Sequence, residues 1–129
     1  QVAAGLRPCV QIFGDDYPSP DGTGVRDFVH VMDLAEGHVA ALDYLTRNQA
    51  NILVNLGTGQ GTSVLEVIRT FERVNGQRVP FEVVARRAAD IGISYADASL
   101  ARELLGWAAK RGIDDMCRDA WRWQCANRA

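Results

Sequence analysis

The spacing of apolar residues changes several times along the chain, and each change marks an element. Val10-Gln11-Ile12-Phe13 is a short apolar run stopped by Gly14, which predicts a strand. Residues 14–24 are so rich in Gly, Asp, Pro and Ser that they predict a loop. Phe28-Val29-His30-Val31 is β-branched and aromatic and predicts a second strand, with Asp33 capping the helix that follows. Leu34, His38, Ala41, Leu42 and Leu45 recur at helical spacing up to about Asn48. Residues 52–56 predict a third strand, and Gly57, Gly59 and Gly61 the turn after it. Ser63-Val64-Leu65-Glu66 is a capping-box pattern, opening a helix that turns Val67, Ile68 and Phe71 inward and stops near Gly76. Residues 81–84 predict a strand and residues 85–96 a loop rich in arginine and alanine. Asp97 then caps a short helix ending at Gly106. Ile113, Met116, Cys117, Ala120, Trp121 and Gln124 follow the i, i+3, i+4, i+7 spacing of an amphipathic helix.

Alternating strands and helices predict an α/β fold. Four short strands make a thin domain, so some apolar surface is expected to stay uncovered without a partner. The opening six residues resemble the end of a helix, and the chain begins with Gln1, so it is expected to be a piece of a longer protein. Its 129 residues, 47% apolar and 23% charged, suit one globular unit. A net charge of −2 argues against bulk binding of nucleic acid or anionic membrane, which needs a basic surface. No apolar run approaches the roughly 20 residues of a membrane span, and there is no signal peptide, so a cytoplasmic protein is expected. Cys9, Cys117 and Cys125 are odd in number and form no C-x-x-C pair, which favours reduced, packed thiols. His30 and His38 lack metal-ligand spacing and are expected to be structural, Asp15-Asp16 is a turn pair, and Trp107, Trp121 and Trp123 are packing residues. Gly57-Thr58-Gly59-Gln60-Gly61 invites a dinucleotide reading. The spacing is not G-x-G-x-x-G, however, and no acidic residue ends the next strand, so a tight turn into a capped helix is favoured.

Ile12-Phe13-Gly14-Asp15-Asp16-Tyr17-Pro18 and the continuous run from Asp21-Gly22-Thr23-Gly24-Val25-Arg26-Asp27 through His38 resemble the UDP-glucose 4-epimerases. So do Asn55-Leu56-Gly57-Thr58-Gly59, Arg86-Arg87-Ala88-Ala89-Asp90, Tyr95-Ala96-Asp97 and Trp121-Arg122-Trp123-Gln124, in order along essentially the whole chain. The resemblance implies the C-terminal, substrate-binding part of an extended short-chain dehydrogenase/reductase, Rossmann-related, with a small mixed sheet and packed helices over residues 1–129. In that family the N-terminal part holds NAD and the catalytic Tyr-x-x-x-Lys. Here Tyr17, Tyr44 and Tyr95 have no Lys four positions on, and the sole lysine is Lys110. The expectation is therefore a chain with no catalytic residue and no cofactor site of its own.

By the same resemblance, Arg26 and Arg87 grip the nucleotide diphosphate, which a planar guanidinium fork suits. Asp90 accepts from the ribose hydroxyls. Phe13, with backbone groups of Gln11 and Ile12, forms the uracil slot, and Val64 walls it. Ser94 faces the sugar, and its small side chain leaves space for an N-acetyl group. The implied ligands are UDP-glucose, UDP-galactose and UDP-N-acetylhexosamines, and the implied partners are an N-terminal NAD-binding domain or a second copy in a homodimer. Where the family has glycine before the loop aspartate, this chain has Ala89, which is strained if that position needs positive φ. Two other readings stay open: a non-enzymatic nucleotide-binding or dimerising module, and a fragment of another NAD-dependent nucleotide-sugar dehydratase or decarboxylase.

Overall fold

The computed structural model describes residues 1–127, and its core forms where one strand pair meets one helix. Strands β1 (Val10–Phe13) and β4 (Phe81–Val84) pair in parallel, with Val10 opposite Phe81 and Phe13 opposite Val84. Ile12, only 2% exposed, points from β1 into a cluster with Ile68 and Val79, ringed by Val64, Leu65 and Phe71. Ile68 and its neighbours belong to α2 (Val64–Asn75), whose start and stop follow the sequence signals. The Ser63 hydroxyl accepts from Glu66 N, and Gly76 closes the helix at φ 62°. Helix α4 (Ile113–Ala126) lies against α2. Phe71 meets Trp121 edge-on at 5.8 Å, Arg73 forks onto Asp114 at 2.7 and 3.0 Å, and Asn75 donates to the Cys117 carbonyl.

A second, three-stranded sheet is mixed, in the order β3-β2-β5. Strand β2 (Val25–Arg26) runs antiparallel to β3 (Thr62–Ser63) and parallel to β5 (Ile93–Ser94). Helices α1 (Val31–Asn48) and α3 (Ser99–Leu105) pack on each other. The cap of α3 is Ala98 and not Asp97 as expected; Asp97 lies one residue earlier and accepts from Ser99 N, and Gly106 ends the helix at φ 63°. Residues 1–6 form a turn in which Gly5, at φ 74°, donates to Val2 O and Leu6 to Gln1 O.

Several expectations are corrected. Phe28–Val31 is not a strand: strand pairing stops at Arg26, and His30 instead caps α1, its Nδ1 accepting from Met32 N at 3.0 Å. Asp33 is therefore not the cap but lies in the first turn, fully buried. It accepts from Lys110 N and Arg111 N and pairs with the Arg111 guanidinium. Residues 52–56 join no ladder among the described residues, and Leu53 is 91% exposed. The inward side of α1 is also not its leucine stripe. Asp33 and Gly37 are its buried residues, because a Cβ at Gly37 would stand 2.8 Å from Leu56 and 3.2 Å from Trp107, while Leu42 is 63% exposed. Trp107 is buried and donates its indole N–H to Asp33 O, but Trp123 is exposed.

Candidate functional site

Five stretches converge on one cavity of about 210 Å3. Strand β1 brings Gln11, Ile12 and Phe13; the following loop brings Tyr17 and Gly24; β2 brings Arg26. The first residue of α2 brings Val64, and the loop after β4 brings Arg87 and Asp90. Seven of the eight residues expected to hold ligand thus line one space. The exception is Ser94, which sits beside Arg26 in the β2/β5 ladder, exposed, and is not in the lining.

Inside the cavity the charges are arranged around Asp90. Arg87 Nε donates to its Oδ2 at 2.9 Å, and Arg26 Nη2 stands 3.9 Å from Oδ1. The Arg87 guanidinium also lies over the Phe13 ring, 4.5 Å from its centroid. Two guanidiniums and an aromatic face therefore look onto the same space, which suits an anion attached to a planar ring. The strand edge beside Phe13 is open. Val10 donates to Pro80 O, just before β4, and Gly14 to Val84 O, so alternation turns the backbone groups of Gln11 and Phe13 to the opposite edge, where no described strand pairs with them. The same alternation corrects the expectation for Ile12: its backbone faces β4 and its side chain is core. The Arg87–Asp90 loop is a tight turn in which Asp90 N donates to Arg87 O, and Ala89 takes φ 64°, the strained geometry that a glycine would relieve.

Two carboxylates that were not singled out in the sequence hold the site's frame. Asp21 accepts from Thr23 N and Oγ1 and from the Ser63 hydroxyl, tying the 14–24 loop to the cap of α2. Asp27 accepts from Thr58 N at 3.0 Å, the Thr58 hydroxyl, Gly59 N at 3.0 Å and Ala96 N at 3.2 Å. Burial would raise Asp27, but these donors outweigh it and hold the carboxyl below its usual range. A Cβ at Gly57 would stand 2.6 Å from Asp27 Oδ2, so glycine there permits the approach. In the Gly57–Gly61 turn, the Thr58 and Gly59 N–H groups, which a dinucleotide pyrophosphate would need, are given to the Asp27 carboxylate, and Gln60 N donates to the Thr58 hydroxyl. The residues present do not fit NAD at this turn. Tyr17 is a further lining residue that sequence reasoning missed; its place in a turn-rich loop gave no periodic signal.

His30 Nε2 faces Asp119 at 3.2 Å, and His38 Nδ1 bonds Leu34 O, so both rings are engaged within the fold. Cys117 is buried, where burial pushes its thiol up, whereas Cys125 is exposed and not packed as expected. Among the described residues no three His, Cys, Asp or Glu side chains cluster to hold a metal, and no helix is long and apolar enough to cross a membrane.

Residues 1–120 match the family model described as GDP-mannose 4,6 dehydratase. The UDP-glucose 4-epimerase of Drosophila melanogaster is 54% identical over 130 residues, covering 98% of this chain and 37% of that protein. Among solved structures, the UDP-glucose 4-epimerase of Stenotrophomonas maltophila, with bound NAD and formylated UDP-arabinopyranose, is 60% identical with a TM-score of 0.95, covering 98% of this chain and 38% of the other. The Bifidobacterium longum enzyme, in complex with NAD+ and UDP, is 48% identical with a TM-score of 0.89, covering 98% and 37%. The chain thus spans well under half the length of these relatives, and the coverage gives how much of each is matched, not which end. The chain belongs to the GDP-mannose 4,6 dehydratase family within the extended short-chain dehydrogenases/reductases, and its homologues there include UDP-glucose 4-epimerases.

Proposed function

We propose that this chain is the UDP-sugar-binding portion, carboxyl-terminal in the intact protein, of a UDP-glucose 4-epimerase-like enzyme that interconverts UDP-glucose and UDP-galactose. The observation that carries the reading is the meeting of Arg26 and Arg87 across a small cavity beside the Phe13 ring. In this reading the two guanidiniums hold the diphosphate, the open edge of β1 pairs with uracil, and Asp90 exchanges an arginine contact for the ribose hydroxyls. Anchoring the nucleotide end leaves the sugar free to turn, so these residues contribute orientation. The redox chemistry of the intact enzyme lies outside them, because the glycine turn does not accept NAD and no tyrosine here has Lys four positions on.

Calorimetric titration of the purified chain with UDP tests the proposal. Saturable binding is expected, weakened about tenfold or more by Arg26→Ala or Arg87→Ala, since each removes a charge-assisted contact. No binding, or binding indifferent to both substitutions, refutes it. The chain alone is expected not to interconvert UDP-glucose and UDP-galactose, and measured turnover would contradict that. The coding sequence on both sides of the chain tests its carboxyl-terminal position. Ser94 is short and directly opposite Arg26 in the ladder, which supports acceptance of UDP-N-acetylhexosamines by the intact enzyme. Rejection of the acetylated sugar would remove that part. A dimerising module is the second reading, favoured by the exposure of Val31, Leu42 and Leu53; sedimentation of the UDP-free chain as a dimer would support it.

A further inference from the structure

We propose that Arg86, which does not line the cavity, is a positioning residue for its neighbours Arg87 and Asp90, acting through a clasp with Asp16 and Tyr17. This rests on the UDP-binding reading above and assigns what holds that site in shape. The loop bearing Arg87 and Asp90 has backbone anchors at its ends, where Gly14 donates to Val84 O at 2.9 Å and Val25 to Gly92 O at 2.8 Å. Between them the one backbone bond among the described residues, Asp90 N to Arg87 O, stays within the loop, and Ala89 is strained. Side chains must fix the middle, and Arg86 makes three contacts there. Its Nε donates to Asp16 Oδ1 at 2.5 Å, its Nη2 donates to the Asp16 carbonyl, and its guanidinium lies 3.9 Å from the centroid of the Tyr17 ring.

The platform under that guanidinium is rigid. Tyr17 is 7% exposed, its N–H donates to Gly22 O, and its ring lies so close to Gly14 and Gly92 that a Cβ at either would come within 3.1 Å. The consecutive arginines therefore divide the work: Arg86 grips the 14–24 loop, and Arg87, held from behind, lies over Phe13 with Asp90 bonded to it. Asp16 is the informative partner, because its side chain is 73% exposed and its replacement should not disturb folding.

Charge alone and positioning make opposite forecasts for Asp16→Ala. The substitution removes a negative charge near a site for an anion, so a purely electrostatic role predicts tighter UDP binding. Positioning predicts weaker binding, by about fivefold to tenfold, because a charge-assisted hydrogen bond that holds the loop is gone. Asp16→Asn keeps an acceptor for the Arg86 Nε–H and should stay within about twofold of wild type. The experiment is UDP calorimetry on wild type and both variants, with thermal melting to show that all are folded. NMR of the Arg87 Nε–Hε signal, shifted by the Phe13 ring, should report displacement in Asp16→Ala and not in Asp16→Asn. Equal or tighter UDP binding by Asp16→Ala, or an unmoved Arg87 signal, overturns the inference. Failure of wild type to bind UDP overturns the parent reading and this one with it.

Discussion

Ala89 takes φ 64° in the turn between Arg87 and Asp90, a region where an L side chain costs about 1 kcal/mol. Ala89→Gly removes that strain but adds freedom to the unfolded chain, so the net gain is expected to be about 0.5 kcal/mol in urea unfolding. A loss of stability would show that the loop does not need the left-handed geometry. Tyr17 offers the complementary case. Its hydroxyl is buried without a hydrogen-bond partner among the described residues, so Tyr17→Phe is expected to leave stability unchanged or slightly raised, whereas Tyr17→Leu, which removes the ring under Arg86, should lower it. The strain at Ala89 could be suspected from the sequence, because a single turn position decides it. The parts played by Asp21 and Asp27 could not: apart from Thr23, two residues from Asp21, their partners lie 31 to 69 residues away, and one acidic side chain in a loop looks like any other until the chain is folded.

The ends of α2 were legible, because a cap is written within four residues. Ser63 and Gly76 bound α2 as the pattern requires. Strands were less legible, since a ladder is a property of two segments: residues 28–31 and 52–56 have the right residue types, yet neither pairs. His30 took over the cap expected of Asp33 because its ring nitrogen reaches Met32 N, which freed Asp33 to be buried against Arg111. The binding residues were legible as a motif set, but their common cavity depends on β1, β2, α2 and the loop after β4 coming together. The Ser63 cap links α2 to the loop between β1 and β2, because its hydroxyl both accepts from Glu66 N and donates to Asp21. Ser63→Ala is therefore expected to cost about 1–2 kcal/mol in urea unfolding, at the upper end for a cap, because it also strips a donor from Asp21. A cost below about 0.5 kcal/mol would mean that Asp21 does not depend on it.

Across the whole molecule, the loops and helices are pinned by carboxylates whose protons come off unusually easily. For Asp21, Asp27 and Asp33 burial would raise the pKa, but the hydrogen bonds they accept win, and each carboxyl sits below its ordinary range. The native state therefore binds fewer protons than the unfolded chain once the pH falls to about 4, where free carboxyls begin to protonate. Stability contributed by these groups is complete above that range and lost as the pH drops through it toward the lowered native values. Asp33 matters most, because it is fully buried and joins α1 to the segment leading into α4 through Lys110 N, Arg111 N and the Arg111 guanidinium. Asp33→Asn replaces a buried acceptor oxygen by an amide group and leaves Arg111 paired with Glu36 alone, and is expected to cost about 3 kcal/mol near neutral pH. Because the variant has no proton to take up at that site, its urea midpoint should fall less steeply than wild type between about pH 5 and pH 3. Parallel acid slopes for wild type and variant would mean that this carboxylate is not what acid attacks.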